Sequence, residues 1–513
     1  MDPARIQTLA DPALYPEHPG EVEIVQTHLS VVVLAGGAAY KFKKAVHLPF
    51  ADFSTLEKRR VACEDEVALN RRLCPSVYEG VVAWTPQGVE PVAPGGGPPL
   101  DYAVKMRRLP QDRMMDELLA RDAVRADEVE AIARRVVEFH RKARRGPEVD
   151  AWGDPGRLRA FALANFEETR GLFPADLHRI LGERTGRDFD ALLPLLRDRL
   201  VRGCVVDGHG DLHARNICLE DPPAIYDCIE FEPAFRCGDV ATEHAFLAMD
   251  LRFRGHPELA DRYLAAVVEA SGDRELPDLV PALVRYRAMV RAKVSAIAAA
   301  EPELGDAARL DAASTARRYL RLAAASAAEG GDPLWILCCG LPAAGKSVAA
   351  TALAEASGSA WPVLSSDRVR KELAGVRPTD PLPASYYAAE FSRRTYDELL
   401  ARAEAVSAPG RVLLVDANFR SREDRLRFAA AARAAGARSA ILQVQLDDTA
   451  SLERLRARSA AGNSESDADA KVYESLRETF EPPGEGEADR LLRLPGELAV
   501  EEAADRVLAE LLA

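Results

Sequence analysis

Eight consecutive residues, Gly340, Leu341, Pro342, Ala343, Ala344, Gly345, Lys346 and Ser347, fit the spacing G-x-x-x-x-G-K-S. Such a loop lets backbone N–H groups curl around phosphate oxygens, brings an ammonium to the β- and γ-phosphates and offers a hydroxyl to Mg²⁺. An apolar run from Ile336 precedes it and a helix-prone stretch, Val348 to Glu355, follows, so a helix N-terminus faces the anion. A second set lies far upstream: His209-Gly-Asp211, then Asn216 five residues after the aspartate, then an apolar run ending in Asp227. Phosphoryl transfer from ATP needs a carboxylate near the acceptor hydroxyl together with Mg²⁺ ligands, and this spacing supplies both. Two phosphate-handling centres are therefore expected, each using ATP and Mg²⁺.

The elements that must position the upstream set begin with a hairpin. Residues 22 to 34 are β-branched and apolar, Gly36-Gly37 supplies a turn, and residues 39 to 46 resume an extended pattern. On that second strand Lys41 and Lys43 share a face, while Lys44 points the other way. Ser54-Thr-Leu-Glu57 reads as a capping box opening a helix to about Leu73, which carries Glu57, Glu64 and Glu66. A carboxylate on such a helix can hold a phosphate-binding ammonium in place. Short strands are expected at 80–84 and 102–106, and an amphipathic helix at 128–145 with His140 packed in its core face. From Thr242 to Ala328 the pattern is helical, with breaks at Gly255-His-Pro257, Gly272 and Pro302. Asp239 reads as a helix cap. No G-x-G-x-x-G precedes the lysine strand; the corresponding bend falls near Thr27 to Ser30.

Downstream, Glu329 to Pro333 has the composition of a linker. Asp367 follows a short strand, at the edge of an α/β sheet where ligands bind, and is a candidate base for an acceptor hydroxyl. Arg370 is a candidate clamp for an anionic group on the acceptor, and Arg420, near Arg422 and Arg425, offers further anion contacts. The run Val412 to Asp416 ends in a carboxylate suited to Mg²⁺. Arg454 and Arg458 share a helix face at i,i+4 and could close over a transferring phosphoryl group. The Gly/Ser/Asp-rich piece 460–468 beside them suits a lid or a surface loop, and residues 497–513 form an amphipathic closing helix.

The 513 residues predict two to four domains, and 48% hydrophobic with 29% charged residues fits a globular protein. A net charge of -14 speaks against a nucleic-acid surface. The eight cysteines include no C-x-x-C pair, which suggests reduced thiols. No basic-then-apolar leader pattern opens the sequence and no apolar run reaches membrane length, so a soluble, cytoplasmic protein without a membrane partner is expected. Oligomeric state is left open.

Lys41, Glu66, the segment His209 to Asn216 and Asp227 together resemble the aminoglycoside phosphotransferase family, a branch of the protein-kinase-like fold, over about residues 22 to 320. That resemblance implies that Asp211 accepts or orients the acceptor proton, that Asn216 and Asp227 hold Mg²⁺, and that Lys41 paired with Glu66 positions the α- and β-phosphates. It favours Glu66 over Glu64, because Leu73, seven residues on, matches how that family's helix continues. It also implies that Asp239, instead of only capping a helix, braces the site. The helical lobe of such enzymes builds the acceptor pocket. The loop Gly340 to Ser347 with Asp367, Arg370, Asp416, Arg454 and Arg458 resembles the P-loop small-molecule and polynucleotide kinases, including gluconate-kinase-like and zeta-toxin-like enzymes. In order, the halves look like a bacterial fusion family of an aminoglycoside phosphotransferase-like domain and an ATP-binding P-loop domain. The expected architecture is an α+β protein-kinase-like domain at 1–325, a linker at 326–333 and an α/β P-loop domain with a parallel sheet at 334–513. The expected function is a bifunctional ATP-dependent phosphotransferase acting on hydroxyls of a small molecule of the sugar, aminoglycoside or nucleoside class. Two other readings stand beside it: a non-catalytic first half that senses ATP or a ligand and regulates the P-loop kinase, and a second half that is a polynucleotide 5′-hydroxyl kinase.

Overall fold

The computed structural model describes residues 3–48, 50–92, 99–301, 305–461 and 467–513. The chain divides into two compact units. One comprises Met1–Ala160, Ala191–Arg254 and Glu258–Val280, the other Phe161–Asp190, Gly255–Pro257 and Pro281–Ala513.

In the first unit the apolar run at 22–34 is not one strand. Thr27 closes a tight turn on Ser30, its N–H donating to the Ser30 carbonyl (2.9 Å) and its hydroxyl accepting from the Ser30 N–H (3.0 Å). The run therefore splits into β1 (Val22–Gln26) and β2 (Ser30–Ala35), at the bend expected from the sequence. The lysine strand is β3 (Ala38–Lys43), and a two-residue hairpin, β4 (His47–Leu48) and β5 (Ala51–Asp52), follows it. With β6 (Tyr78–Thr85), β7 (Gly88–Pro91) and β8 (Asp101–Arg107) the sheet reads β1-β2-β3-β8-β6-β7, antiparallel throughout.

Alternation along β3 decides where its lysines point. Tyr40 and Phe42 join Val31, Val33, Val82 and Trp84 in one core, while Ala39 packs on the opposite face with Cys63, Val67 and Met106. Lys41 and Lys43 share Ala39's face, which the helix Leu56–Asn70 covers. That helix starts later than the capping-box pattern indicates. Its N-cap is Thr55, which accepts from the Lys58 N–H (3.2 Å), because Ser54 is taken up by Asp52 (2.6 Å). It also ends at Asn70 rather than near Leu73.

The helix Ala126–Lys142 buries Val129, Ile132, Val136, Val137 and His140 as expected. Beyond it, β9 (Val205–Asp207) pairs with β12 (Cys237–Asp239), and β10 (Ile217–Cys218) pairs with β11 (Ala224–Ile225). The His209–Asn216 segment thus runs between two strand ends, and Asp227 follows β11 after one residue, Tyr226. The stretch after Thr242 is helical, in Val240–Phe253, Pro257–Ser271, Leu276–Ala299 and Asp306–Ala328. The break at Pro302 lies outside the described residues.

In the second unit five strands, β13 (Leu334–Cys339), β14 (Val363–Ser365), β15 (Val412–Asp416), β16 (Arg438–Gln445) and β17 (Arg490–Pro495), form a parallel sheet of order β14-β15-β13-β16-β17. The central strand β13 is buried along its whole length, consistent with its unbroken apolar sequence. Ser365 of β14 and Cys338 of β13 both stand level with Asp416 of β15, so these strands finish together at one carboxyl edge. Trp335, Leu337, Val415, Phe419, Phe428 and Ile441 fill a core on one side of the sheet, where removing an aromatic ring costs about 3–5 kcal/mol. The closing helix, Val500–Leu512, joins Asp306–Ala328 through the Arg321–Asp505 ion pair (2.7 Å).

All eight cysteines are unpaired; seven are buried and Cys204 is half-buried. Among the described residues no helix is long and apolar enough to cross a membrane.

Candidate phosphoryl-transfer sites

In the first unit the face of β3 that meets the helix carries a cluster of charges. Lys41 Nζ bonds Glu66 Oε1 at 2.8 Å and also bonds Asp227 Oδ1. Glu64, the alternative, lies on the outer helix surface with Arg60 (2.6 Å). Lys43 takes the other oxygen of the same glutamate, Oε2, at 2.5 Å, and reaches Glu230 as well. Burial pushes the Glu66 carboxyl up, but Lys41 and Lys43 outweigh it and bring the group down to about 2. Burial works against charge on Lys41 too, and Asp227 and Glu66 reverse the balance, raising it well above the ordinary value. Burial raises the Glu230 carboxyl, and its pull outweighs that of Lys43. Two ammonium groups thus hold the carboxylates of Glu66, Asp227 and Glu230 in one cluster. The donors that suit a hard divalent cation such as Mg²⁺ are oxygens, of the kind that the Asp227 carboxylate offers.

The loop between β9 and β10 presents Asp211 and Asn216 side by side. The Asn216 amide nitrogen donates to the Asp211 carbonyl (3.0 Å) and to its Oδ2 (3.0 Å), which turns the amide oxygen away from Asp211. His213 Nε2 lies 3.2 Å from the same Oδ2. His209 Nε2 donates to the Tyr226 carbonyl (2.9 Å) while its Nδ1 accepts from the Asp211 N–H (3.3 Å), so this ring is a fixed neutral tautomer; burial holds its pKa down.

A residue far along the chain holds this loop. Glu243 Oε1 accepts from the His209 N–H and from the Gly210 N–H (2.8 Å), and its Oε2 meets His140 Nε2 at 2.8 Å. The carboxylate passes so close to Gly208 that any Cβ there would overlap it. Asp239, read as a helix cap or a brace, caps the helix Val240–Phe253 through the Ala241 N–H (2.9 Å) and takes two bonds from Arg199 (2.8 and 2.8 Å). A Glu three residues into a helix gives no local signal; only the packed loop makes it a backbone anchor.

Burial raises the Glu243 carboxyl, yet the His140 bond, His209 and the backbone donors bring it down to about 2. A depressed carboxyl stabilises the fold above its unfolded pKa, and that contribution is lost as pH falls towards the folded value. Between pH 6 and pH 2 the native chain is therefore expected to lose about 3 kcal/mol more than Glu243→Gln, at ~1.4 kcal/mol per pKa unit. Urea unfolding of both chains across this range measures the difference.

In the second unit Lys346, Ser347, Asp367, Asp416, Arg454 and Arg458 line one cavity of about 370 Å³ at the carboxyl edge of the sheet. Here the residues Gly340 to Gly345 wrap between β13 and the helix Lys346–Ala356. Gly340 has φ 147, and a Cβ there would run into the Val444 carbonyl of β16; Ala343 adopts the left-handed region at φ 61. Lys346 Nζ donates to the Leu341 carbonyl (2.9 Å) and is buried. Its burial lowers its pKa against the opposing pull of Asp416 and Asp367, which places both carboxylates within electrostatic reach. Ser365 caps the helix Ser366–Ala374. Asp367 lies in its first turn, on the cavity wall. Ser347 and Asp416 supply a hydroxyl and a carboxylate, donors that fit Mg²⁺.

Arg454 stitches the loop to the end of β17 through the Ala343 carbonyl (3.5 Å) and the Gly496 carbonyl (3.0 Å), while Arg458 donates to the Ala468 carbonyl (3.0 Å). Two expected acceptor contacts are not brought to the cavity. Arg370 is buried, donating to the Tyr386 carbonyl (2.7 Å) and Ser392 Oγ (3.3 Å), with its guanidinium 4.8 Å from the Tyr387 ring centre. Arg420 is exposed and reaches Thr479 Oγ1 at 3.5 Å. Arg425 is likewise structural, paired with Glu487 (2.6 Å). Of the proposed lid, residues 462–466 lie outside the described residues. Asp467 beside them accepts from Lys371 (3.2 Å), the Leu382 N–H (3.0 Å) and the Tyr387 hydroxyl (2.6 Å).

A family model described as an AAA domain matches residues 335–483. The chain is 32% identical over 466 residues to the Mycobacterium tuberculosis protein Rv2004c, with 89% of each chain covered. Among solved structures, a gluconokinase from Sinorhizobium meliloti covers 35% of this chain and 91% of its own, at 19% identity and TM-score 0.26. Aminoglycoside 2′-phosphotransferase-IIIa covers 59% of this chain and 93% of its own, at 14% identity and TM-score 0.37.

Proposed function

The chain belongs to the family of the Mycobacterium tuberculosis protein Rv2004c, and on that premise we propose that it is an ATP-dependent kinase with two transfer centres, each phosphorylating a hydroxyl of a small molecule of the sugar, aminoglycoside or nucleoside class. The observation that carries the reading is the second-unit cavity, where a phosphate loop, a buried lysine and two carboxylates converge. The first centre rests on the joined Lys41, Glu66 and Asp227 cluster and on the Asp211–Asn216 pair.

Bound Mg²⁺, held by Ser347 and Asp416 in the second unit and by Asn216 and Asp227 in the first, would neutralise charge on the phosphate oxygens. In the second unit the N–H groups of Gly340 to Ser347 and the Lys346 ammonium bind the phosphates. Asp367 takes the proton of the acceptor hydroxyl as its oxygen bonds to the γ-phosphorus. The bond from that phosphorus to the bridging oxygen breaks, and ADP leaves. Arg454 and Arg458 offset charge as it develops on the transferring group. In the first unit Lys41, oriented by Glu66, binds the α- and β-phosphates, and the Asp211 carboxylate receives the acceptor proton.

The test is a panel of sugars, aminoglycosides and nucleosides incubated with the full chain, ATP and Mg²⁺, and followed by mass spectrometry. At least one acceptor is expected to gain a phosphoryl group in step with ADP release. Nucleotide binding without transfer to any member of the panel would sink the acceptor class.

A further inference from the structure

Lys43 and Glu230 have no part in the chemistry just described, yet both are nine-tenths or more buried beside it, with side chains 2% and 5% exposed. A buried ion pair stabilises a fold little more than apolar packing does, because desolvation cancels most of its Coulomb energy. What such a pair does supply is a fixed geometry. Here the geometry concerns Asp227, whose backbone sits at φ 63, a left-handed conformation that costs a non-glycine residue roughly 1–2 kcal/mol.

Four successive residues hold that conformation, each tied to a different element. The Asp227 N–H donates to the Tyr78 hydroxyl of β6 (3.2 Å), and the Cys228 N–H to Asn70 Oδ1 at the end of the helix Leu56–Asn70 (2.9 Å). The Ile229 N–H donates to the His209 carbonyl (3.1 Å), and Glu230 bonds Lys43 on β3. The last tie differs from the others because it runs through side chains and also engages the site. Lys41 and Lys43, two residues apart on one strand face, grip the two oxygens of Glu66 separately and Asp227 and Glu230 separately.

We propose that the Lys43–Glu230 pair is a latch that pins the segment 227–230 against β3, and that Lys43 and Glu230 are positioning residues for Asp227 and, through Glu66, for Lys41. The proposal rests on the phosphotransferase reading of the first unit. Without the latch, Asp227 keeps its bond to Lys41 but its left-handed backbone loses one of its four ties, the one made between side chains, so its carboxylate faces a cation from a less fixed place.

The test uses the full chain carrying Lys346→Ala and Asp416→Ala, which remove the lysine and the proposed metal carboxylate of the second centre, with Lys43→Met, Glu230→Gln and the double Lys43→Met/Glu230→Leu, whose apolar pair refills the space. Amide hydrogen exchange over 227–231 is expected to speed up in all three. Mn²⁺ affinity in the presence of ADP, read by electron paramagnetic resonance, is expected to fall about tenfold or more, as for other lost outer supports of a metal ligand. The double variant is expected to melt near the parent temperature and still show both effects. Parent-like exchange and parent-like Mn²⁺ affinity in that stable double variant would overturn the latch and reduce the pair to packing. Absence of transfer by the Lys346→Ala/Asp416→Ala parent would overturn the catalytic reading of the first unit, and the exchange of 227–231 would still decide the latch.

Discussion

Lys346→Ala is expected to remove transfer at the second centre, by about 10²–10³-fold or more, as when a preorganised group facing developing charge is deleted. The ammonium sits inside the loop Gly340 to Ser347, where it donates to the Leu341 carbonyl, and shares its cavity with Asp367 and Asp416. Because burial already disfavours its charged form, deletion does not strip the unit of a stabilising charge, and the variant should stay folded. Acceptor phosphorylation at saturating ATP, with circular dichroism as the folding control, checks both parts. Transfer at the first centre should be untouched.

Asp211→Asn is expected to lower transfer at the first centre by about 10²–10⁴-fold, the range for loss of a general base, with little change in KM for ATP. The substitution keeps the shape of the loop that Glu243 and His209 hold but removes the carboxylate proposed as proton acceptor. Rates measured in the Lys346→Ala background isolate it from the second unit. Should Asp211→Asn leave every measured turnover intact while Lys346→Ala abolishes all of it, the first unit is a sensing module and not an enzyme.

Much of both sites could be read from spacing, because the decisive contacts are local or follow from strand alternation. The strand-loop-helix around Gly340 and the aspartate ending β15 are short-range patterns, and the structure puts them at one sheet edge. The placement of Lys41 and Lys43 on one face followed from a period of two. The ties that fix the first site were not legible. Glu230 meets Lys43 across 187 positions and Glu243 meets His209 across 34, and neither is flanked by anything but ordinary sequence. The arginines misled for the opposite reason. Arg370 and Arg420 have the side-chain chemistry of anion clamps, but one is consumed by backbone carbonyl and ring contacts and the other points to the surface. The helix start moved from Ser54 to Thr55 because Asp52, just outside the motif, competes for the serine hydroxyl.

The unpaired cysteines offer a way to time the opening of each half. Cys338 and Cys339 lie in the strand that feeds the phosphate loop, and Cys63, Cys74, Cys218 and Cys228 lie in the first unit, all shielded from solvent. Burial raises the thiols of Cys338 and Cys339, the latter to about 11, and those of Cys63 and Cys228 to about 12, so their reactive thiolates are scarce while the fold is closed. Pulses of an alkylating reagent along a denaturant series, followed by peptide mapping, would then date the exposure of each strand. Coincident labelling would mark one cooperative melting body, and staggered labelling would mark two.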